Sequence, residues 1–376
     1  MLNAECLPQP ELLQWLRDRS LEWRARIEQI DQARRFLYAT TYYIEADTYG
    51  QTYVEALARA AQRNVDVRLL IDDFGQTLGN IPRLPAQQVG LTQALKKAAA
   101  DGVHVMRYRP RGLLRRRLGH GHHIKVQVSD AGTALFGSSN ITARSFELWN
   151  ELSLLIRGPM VSVLLRDACD LFETATGVPC PSPTLPEVLT TTVDSIFDYW
   201  THDPNIQEHN NLITEGLVRR MNAATESIAV TTFFYKPMPL LAQAMLRACK
   251  RGVRVEIFHS ASQALKETRL PYVAAVPKLG DLLRAGGVVY ENQIGEHAKS
   301  IMIDGAWAAI GSYNFEWASH DRVAEAMLVS TDASVLLQMQ GMFEELRGDP
   351  NNIPLERLDT ADRLLATLCV PIRRWL

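Results

Sequence analysis

Apolar runs of strand length alternate with amphipathic stretches of helical length along most of the chain. Residues 36–44 (FLYATTYYI) and 65–72 (VDVRLLID) have the aromatic and β-branched composition of buried strands, and residues 52–64 between them have the spacing of a helix. A helix over 91–102 and a strand over 103–109 continue the pattern. Strands that alternate with helices of this length predict an α/β fold with mixed, mainly parallel sheets and flanking helices.

The second half of the chain repeats this order of elements, which predicts that the fold is duplicated. Each copy also closes with a helix, at 161–177 and at 332–348. We therefore predict two α/β lobes, the first over residues 36–177 and the second over residues 223–348. The matching predicted elements are 36–44 with 227–235, 52–64 with 240–252, 65–72 with 253–260, 91–102 with 276–287, and 103–109 with 288–291.

Three segments lie outside the two predicted lobes. Residues 1–35 have apolar positions at near-helical spacing from 9 onwards and predict a helix that covers a lobe, or alternatively lies on a membrane surface. Residues 178–222 begin with closely spaced prolines and predict a linker followed by a lead-in to the second lobe. Residues 349–376 end in an apolar stretch, which predicts a segment that closes the fold, with membrane contact as the alternative.

A set of polar residues recurs at matched offsets in the two copies. The stretch 123–151 contains H-x-K-x4-D and then G-S-x-N, and the stretch 297–325 contains the same two motifs. A duplicated fold alone would retain apolar and glycine positions, so the retained polar residues predict a shared chemistry. The matched pairs are His123 and His297, Lys125 and Lys299, Asp130 and Asp304, Ser138 and Ser312, Asn140 and Asn314, and Glu151 and Glu325.

These residue types favour chemistry on a phosphate diester. Histidine can act as a nucleophile or a general acid near neutral pH, and one acid in each copy can orient an imidazole. Lysine, serine and asparagine donate hydrogen bonds, and lysine adds the positive charge that a developing phosphorane needs. The protein itself supplies that charge, so we predict neither a metal nor another cofactor.

The paired motifs resemble those of the phospholipase D superfamily, over roughly residues 30–335. The resemblance implies two duplicated α/β lobes, with the active site on a pseudo-twofold axis between them. It also implies a covalent phosphohistidine, from which the phosphoryl group passes to water or to an alcohol. On this basis His123 is the expected nucleophile and His297 the expected general acid, assisted by Lys125 and Lys299.

Within the superfamily, the chain is most similar to the bacterial cardiolipin synthases. Its two-motif length and its stretch FFYKP at 233–237 support that resemblance, which implies a phosphatidyltransferase that acts on phospholipids. Those synthases commonly have G-G-x-N in the first copy, whereas this chain has GSSN at 137–140. The acceptor therefore stays open between a second phospholipid, glycerol or another alcohol, and water. The alternatives are a nuclease of the same superfamily and an inactive scaffold that binds anionic lipid.

The other matched residues have distinct expected roles. Ser138, Asn140, Ser312 and Asn314 are expected to contact the phosphate, although turn formation is the alternative because they follow glycines. Glu151 and Glu325 are expected to orient the imidazoles, whereas the aspartates of the motif, Asp130 and Asp304, are expected to be structural.

An arginine-rich loop over 109–123 interrupts the first copy and has no equivalent in the second. Its residues Arg115, Arg116 and Arg117 lie among leucines, which predicts a basic loop with an apolar tip that meets anionic lipid head groups. A solvated loop paired with acids elsewhere and a nucleic-acid contact are the alternatives. The nearby His120 and His122 could suggest a metal site, but no further cysteines or clustered carboxylates support one.

The composition is that of a soluble globular protein, with 47% hydrophobic and 22% charged residues. A net charge of −2 predicts no general attraction to nucleic acid or anionic lipid, so any such contact must be local. The five cysteines are scattered and fit free thiols in a reducing compartment. With no evident signal peptide or membrane span, the expected location is cytoplasmic, with peripheral binding at the inner membrane. No obligate protein partner is implied.

Overall fold

A computed structural model describes residues 12–110, 112–181, 183, 195–207 and 210–369. Parts of the predicted N-terminal, linker and C-terminal segments, at 1–11, 184–194 and 370–376, lie outside the described residues. The chain forms two compact units. The first contains the described residues of 1–109, 125–147 and 153–197, and the second contains those of 110–124, 148–152 and 198–376.

Strands and helices alternate through both units, largely as the sequence predicts. The strands are β1 (Leu12–Leu16), β2 (Phe36–Thr41), β3 (Asp66–Asp72), β4 (His104–Tyr108), β5 (Gly121–His122), β6 (Val126–Ser129), β7 (Thr133–Gly137), β8 (Ser153–Arg157), β9 (Asp198–His202), β10 (Ser227–Thr232), β11 (Arg254–Ser260), β12 (Val288–Asn292), β13 (Ser300–Ile303), β14 (Trp307–Gly311), β15 (Val323–Ser330) and β16 (Asn352–Pro354). The helices are α1 (Arg19–Gln32), α2 (Thr48–Gln62), α3 (Asp73–Asn80), α4 (Pro85–Ala100), α5 (Leu113–Arg117), α6 (Met160–Thr176), α7 (Leu212–Ala223), α8 (Pro239–Lys250), α9 (Leu270–Arg284), α10 (Trp317–Asp321), α11 (Ala333–Gly348) and α12 (Thr360–Leu368).

Each unit is built on one sheet, and the two sheets share a strand order. The sheet of the first unit runs β1-β8-β7-β6-β2-β3-β4, and that of the second runs β16-β12-β11-β10-β13-β14-β15-β5, with β9 also paired to β15. The series β8-β7-β6-β2-β3-β4 therefore corresponds to β15-β14-β13-β10-β11-β12. This correspondence confirms the predicted duplication of an α/β lobe.

The sheets are mixed, as predicted, but most strand pairs are antiparallel, so the expectation of mainly parallel sheets is wrong. Among the described strands of the first unit, only the pairs β2–β3 and β3–β4 are parallel. The strands that follow each histidine form hairpins, β6 with β7 and β13 with β14. A connection of three residues is too short for the crossover that a parallel pair requires, so these strands must be antiparallel.

The described part of the N-terminal segment begins with strand β1, so the helix predicted from residue 9 is wrong over residues 12–16. Strand β1 pairs antiparallel with β8, which would otherwise expose unpaired backbone groups at the edge of the sheet. This pairing overrides the helical spacing of the apolar side chains. Helix α1 starts only after Asp18, whose carboxylate accepts hydrogen bonds from the backbone N–H groups of Ser20 and Leu21.

Each unit has its own apolar core, formed where helices pack on the sheet. In both units the core includes side chains of the central parallel strands and of the helix that follows the first of them. Fully buried members of the first core include Leu37, Leu57 and Leu69, and those of the second include Val230, Met245 and Ile257.

The described part of the C-terminal segment packs against the second unit through α12. Ala366 is buried, and the buried Asp362 carboxylate accepts hydrogen bonds from Arg269 at 3.0 Å. The opposite face of α12 carries exposed leucines, including Leu364 and Leu368. None of the helices in the described ranges has both the length and the apolarity to cross a bilayer.

Candidate active site

The second unit contains both histidines and both glutamates of the duplicated motifs. His297 and Glu325 belong to the second copy, whereas His123 and Glu151 come from the first copy, through its segments 110–124 and 148–152. The first unit contains Lys125, together with Ser138 and Asn140 of the first copy.

Backbone hydrogen bonds join the histidine segment of each copy to the glutamate segment of the other copy. Strand β5 pairs with β15, and the N–H of His123 donates to the carbonyl of Ala324 at 2.8 Å. In the second copy, the N–H of His297 donates to the carbonyl of Asn150 at 2.8 Å. Ala324 and Asn150 each precede the glutamate of their own copy, so the backbone places each histidine beside the glutamate of the other copy.

The side chains complete two crossed His–Glu pairs. Nδ1 of His297 lies 2.9 Å from Oε2 of Glu151. Nδ1 of His123 lies 3.2 Å from Oε1 of Glu325 and 3.0 Å from the carbonyl oxygen of Ser312. A carbonyl oxygen can only accept, so Nδ1 of His123 carries the proton. Both rings are therefore oriented through Nδ1, which leaves Nε2 of each ring available for chemistry.

Two serine hydroxyls hold the carboxylate of Glu325. Ser319 donates to Oε1 at 2.5 Å, and Ser312 donates to Oε2. The hydroxyl of Ser312 also accepts from the N–H of Ala326 at 3.0 Å. Ser312 was expected to contact phosphate, but in this structure its hydroxyl positions the acid that faces His123.

Ser319 was missed in the sequence, although a signal for it was present. It lies 22 residues after His297, and Ser145 lies 22 residues after His123. Both serines are buried. Serines are common near turns, so a match between two serines is a weak signal by itself.

Gly311 of the second motif is required by the packing of β14 on β15. A Cβ atom at this position would lie 2.1 Å from the carbonyl oxygen of Ala326. That residue is next to Glu325, so the glycine allows the two strands to approach where the acid is presented.

Two aromatic rings contact the imidazole of His297. Trp149 stacks on it with ring centroids 5.0 Å apart, and Phe233 meets it edge-on, also at 5.0 Å. Trp149 itself requires a glycine at position 295, where a Cβ atom would lie 2.2 Å from the indole. The duplication could not identify Trp149, because Val323 occupies its offset in the second copy.

The two motif lysines are both buried. Lys299 donates from Nζ to the carbonyl oxygen of His297. Burial lowers the pKa of Lys299 to about 8, although Glu151, Glu325 and other nearby acids oppose the shift. In the first unit, Nζ of Lys125 lies 5.6 Å from the centre of the Tyr42 ring, a cation–π distance.

The motif asparagines differ in their surroundings. Asn140 is 1% exposed, and within the described residues neither Oδ1 nor Nδ2 has a hydrogen-bond partner. A buried amide in that state is costly unless a ligand satisfies it. The side-chain Oδ1 of Asn314 accepts from the backbone N–H of Phe233 at 3.4 Å. The backbone N–H of Asn314 donates to the hydroxyl of Ser319 at 3.1 Å. Ser138 is fully buried.

The motif aspartates hold backbone turns. Asp304 accepts from the N–H groups of Thr225, Glu226 and Ser227 at 2.8–2.9 Å. Burial acts in the opposite direction, but these hydrogen bonds lower the pKa of Asp304. Asp130 accepts from the N–H of Arg34 at 2.9 Å.

The arginine-rich loop forms the short helix α5 in the second unit. Leu113 and Leu114 at its start are 73% and 70% exposed, and Arg116 and Arg117 are exposed as well. Arg111 lies outside the described residues. The loop leads directly into β5 and His123. In the described part of the chain, no group of three or more His, Cys, Asp or Glu side chains could hold a metal ion.

Comparison with known families gives one match over both copies of the motif. The family model described as "Cardiolipin synthase, PLD-like domain" matches residues 26–170 and 217–347. Cardiolipin synthase A of Erwinia tasmaniensis is 26% identical over 308 residues, which are 78% of this chain and 60% of that protein. The major cardiolipin synthase ClsA of Bacillus subtilis is 23% identical over 342 residues, which are 85% and 65% of the two chains. The chain thus spans about two thirds or less of these relatives' lengths.

Solved structures show the same fold at low sequence identity. The phosphatidylserine synthase of Haemophilus influenzae Rd KW20 superposes with a TM-score of 0.72 at 16% identity, covering 96% of this chain and 93% of that one. The polyphosphate kinase of Porphyromonas gingivalis superposes with a TM-score of 0.57 at 11% identity, covering 96% of this chain and 55% of that one. At these identities the similarity concerns the fold.

Proposed function

This chain belongs to the family of cardiolipin synthase PLD-like domains, and from that premise we propose that it is a phosphatidyltransferase. It acts on phospholipids through a covalent phosphohistidine. The observation that carries this proposal is the crossed pairing of His123 with Glu325 and of His297 with Glu151. In each pair the carboxylate engages Nδ1, the arrangement that orients an imidazole for nucleophilic or acid–base work at Nε2.

In the first step, Nε2 of His123 attacks the phosphorus of a phospholipid diester. A P–N bond forms while the P–O bond to the head-group alcohol breaks. His297, as imidazolium, donates its Nε2 proton to the leaving oxygen, so the alcohol departs neutral. The phosphorylated ring of His123 carries a positive charge, which Glu325 stabilises through Nδ1–H.

In the second step, His297 is neutral and acts as the general base. It takes the proton of the acceptor hydroxyl while the acceptor oxygen attacks phosphorus. The P–N bond breaks, the electron pair returns to Nε2 of His123, and both histidines regain their starting states. Every proton and every bond is accounted for without a redox partner.

The lysines and the amides stabilise the charge on the nonbridging oxygens in both steps. Lys125 and Lys299 supply positive charge, and Asn140 supplies an amide that is buried without a hydrogen-bond partner in the described chain. Ser138 and Asn314 complete the set that would contact the phosphate. In this proposal Ser312 acts on Glu325 and only indirectly on the substrate.

A phospholipid alcohol is the acceptor that the relatives favour. Both curated relatives named above are cardiolipin synthases. We therefore propose transfer of a phosphatidyl group to the hydroxyl of a second phospholipid, with glycerol or another alcohol as a competing acceptor and water as the hydrolytic route.

The site of action in this proposal is the surface of an anionic membrane, approached from the cytoplasmic side. No acidic residue occurs between Asp101 and Asp130, so the α5 loop is uniformly basic in sequence. Its exposed pair Leu113 and Leu114 can enter the head-group region while Arg116 and Arg117 contact lipid phosphates. The described cysteines are free, as suits a reducing compartment.

A transfer assay tests the activity. The purified full chain is incubated with phosphatidylglycerol vesicles in EDTA, with and without added ethanol, and chloroform-soluble products are analysed. The proposal expects cardiolipin or phosphatidylethanol, which His123→Ala and His297→Ala each abolish. His104→Ala is the matched control, because this exposed histidine lies on β4 away from the motifs. DNA cleavage in a parallel digest without lipid transfer would contradict the proposal, and so would wild-type activity in either alanine variant of the motif histidines.

A further inference from the structure

The residue before each motif histidine differs in chemistry between the two copies. It is His122 in the first copy and Glu296 in the second. Both side chains are fully buried. A buried acid is costly unless it is satisfied by hydrogen bonds, so the second copy must contain groups that accommodate Glu296.

The contacts of Glu296 connect the two segments that form the His297–Glu151 pair. One carboxyl oxygen accepts from the N–H of Ala298 at 2.9 Å, and the other accepts from Nδ2 of Asn150 at 3.2 Å. Ala298 follows His297, and Asn150 precedes Glu151. The carboxyl group therefore bridges the chain on both sides of the pair.

The backbone of Glu296 is held as firmly as its side chain. Its N–H donates to the hydroxyl of Ser260 at 2.9 Å, and the same hydroxyl donates to its carbonyl oxygen at 3.0 Å. Ser260 ends β11, so the bridge is anchored to the central sheet of the second unit. Because hydrogen bonds fix both its backbone and its carboxyl group, Glu296 can set the position of the residues that it contacts.

We propose that Glu296 is a positioning residue that holds Glu151 against His297 for acid–base catalysis. This inference rests on the proposed phosphatidyl transfer, for which His297 is the general acid. Glu296 acts through Asn150 and Ala298 and need not touch the substrate. Its ionisation would place a second carboxylate near Glu151, and the repulsion would disturb the pair.

The protonation state of Glu296 supports this role. Burial raises the pKa of Glu296 to about 8, with Ala298, Asn150 and Lys299 opposing the shift and Glu151 adding to it. The carboxyl is therefore mainly neutral at pH 7. The charged groups that act on it are Lys299 and Glu151. Lys299 titrates in the same pH range, so an experiment must separate the two groups.

The variants Glu296→Gln and Glu296→Ala separate the effect of ionisation of Glu296 from the effect of its two hydrogen bonds. Glutamine is neutral at every pH and, after rotation of the Asn150 amide, can keep both hydrogen bonds, whereas alanine loses both. We expect Glu296→Gln to retain kcat/KM for phosphatidyl transfer within about threefold at pH 7 and to move the alkaline decline up by about one pH unit. Glu296→Ala should lose about tenfold or more in kcat, because the pair is no longer held.

Glu256→Gln is the matched control. Glu256 is a buried glutamate on β11 that pairs with Arg347 at 2.8 Å, away from the histidines. Its variant should leave the alkaline decline where the wild type has it. If Glu296→Gln also left the decline unmoved, or if Glu296→Ala were fully active, the role of Glu296 would be overturned.

A measurement without substrate distinguishes this inference from the proposed function. The His297 ring is followed by NMR in protein with ¹⁵N-labelled histidine, with His297→Asn used for assignment. We expect a second inflection near pH 8 in the wild type that becomes smaller in Glu296→Gln, because the ionisation of Glu296 no longer contributes while that of Lys299 remains. If the inflection behaves so but no lipid product forms, the proposed activity fails and the link between Glu296 and His297 stands. An inflection that keeps its size and midpoint in Glu296→Gln belongs to Lys299 and overturns the link, whatever the activity.

Discussion

Oε2 of Glu151 lies 2.9 Å from Nδ1 of His297, although the two residues are 146 positions apart in the sequence. The reciprocal pair, His123 with Glu325, joins residues 202 positions apart. Each copy of the motif thus supplies the acid for the histidine of the other copy. Neither copy contains a complete His–Glu pair, so each pair depends on residues from both copies.

The glutamates of the crossed pairs should matter for kcat more than for KM. Glu151→Gln and Glu325→Gln keep the size of the side chain but remove the charge that stabilises an imidazolium. We expect each to lower kcat for lipid transfer by about 10²- to 10⁴-fold. Glu344→Gln, an exposed glutamate on α11, serves as the control and should be unaffected. Wild-type kcat in both site variants would show that the pairs have no catalytic role.

Ser319 should affect turnover through Glu325, whose carboxylate accepts a hydrogen bond from its hydroxyl. Ser319→Ala removes the 2.5 Å hydrogen bond to Glu325 and the one that the same hydroxyl accepts from the backbone N–H of Asn314. We expect a loss of about tenfold in kcat, since a hydrogen bond to a charged group contributes about 1.5–3 kcal/mol. Steady-state kinetics with Ser334→Ala as an exposed control would measure it. An unchanged kcat would mean that Ser312 alone suffices to hold the carboxylate.

Gly295 should tolerate no side chain. Its φ is +146°, and a Cβ atom would overlap the indole of Trp149. We expect Gly295→Ala to lower the free energy of unfolding by about 2–4 kcal/mol through backbone strain and overpacking. Gly341→Ala on α11, where a Cβ meets open space, should be neutral or stabilising by up to about 1 kcal/mol. Denaturant unfolding of both variants tests the contrast, which equal effects would refute.

The pH dependence of stability should report the protonation of Glu296. Between about pH 4.5 and about 8 the folded protein holds a proton on Glu296 that the unfolded chain releases, because burial raises the pKa of this group to about 8. The folded protein therefore binds more protons than the unfolded chain in this window, and the free energy of unfolding falls as the pH rises through it. Glu296→Gln should gain stability relative to the wild type from pH 5 to pH 8. Thermal unfolding at both pH values measures the difference, and a constant difference would contradict the assignment.

The α5 loop should determine binding to anionic vesicles. The combined change Leu113→Ser, Leu114→Ser, Arg116→Gln and Arg117→Gln should weaken binding to phosphatidylglycerol vesicles by about tenfold or more, because each arginine near the surface contributes about 1 kcal/mol. Lys96→Gln with Lys97→Gln, which neutralises exposed charges on α4, is the control. Sedimentation of vesicles at two salt concentrations measures the effect. Equal binding of both variants would exclude the loop as the contact.

The sequence was sufficient for the duplicated lobe, because strand and helix periodicity recurred in the same order in both halves. It was not sufficient for β1, where pairing with β8 overrides the helical spacing of the apolar residues. The prevalence of antiparallel pairs also escaped prediction, although the short connection from Ser129 to Thr133 contained the information.

The sequence was sufficient to predict which residues form the candidate site, but not which histidine pairs with which glutamate. Matched offsets singled out His123, His297 and the two glutamates. Which glutamate faces which histidine depends on contacts between segments more than 140 positions apart, and no local pattern encodes them. Trp149 has no duplicate in the second copy, so it was invisible to the same reasoning.

The covalent intermediate is the most direct test of the account. His297→Asn is mixed with phosphatidylglycerol vesicles, quenched at alkaline pH to preserve phosphoramidates, digested and analysed by mass spectrometry. The account predicts a phosphatidyl adduct on the peptide that contains His123, and none when His123→Ala is added. An adduct on another residue, or full turnover by His123→Ala, would contradict it.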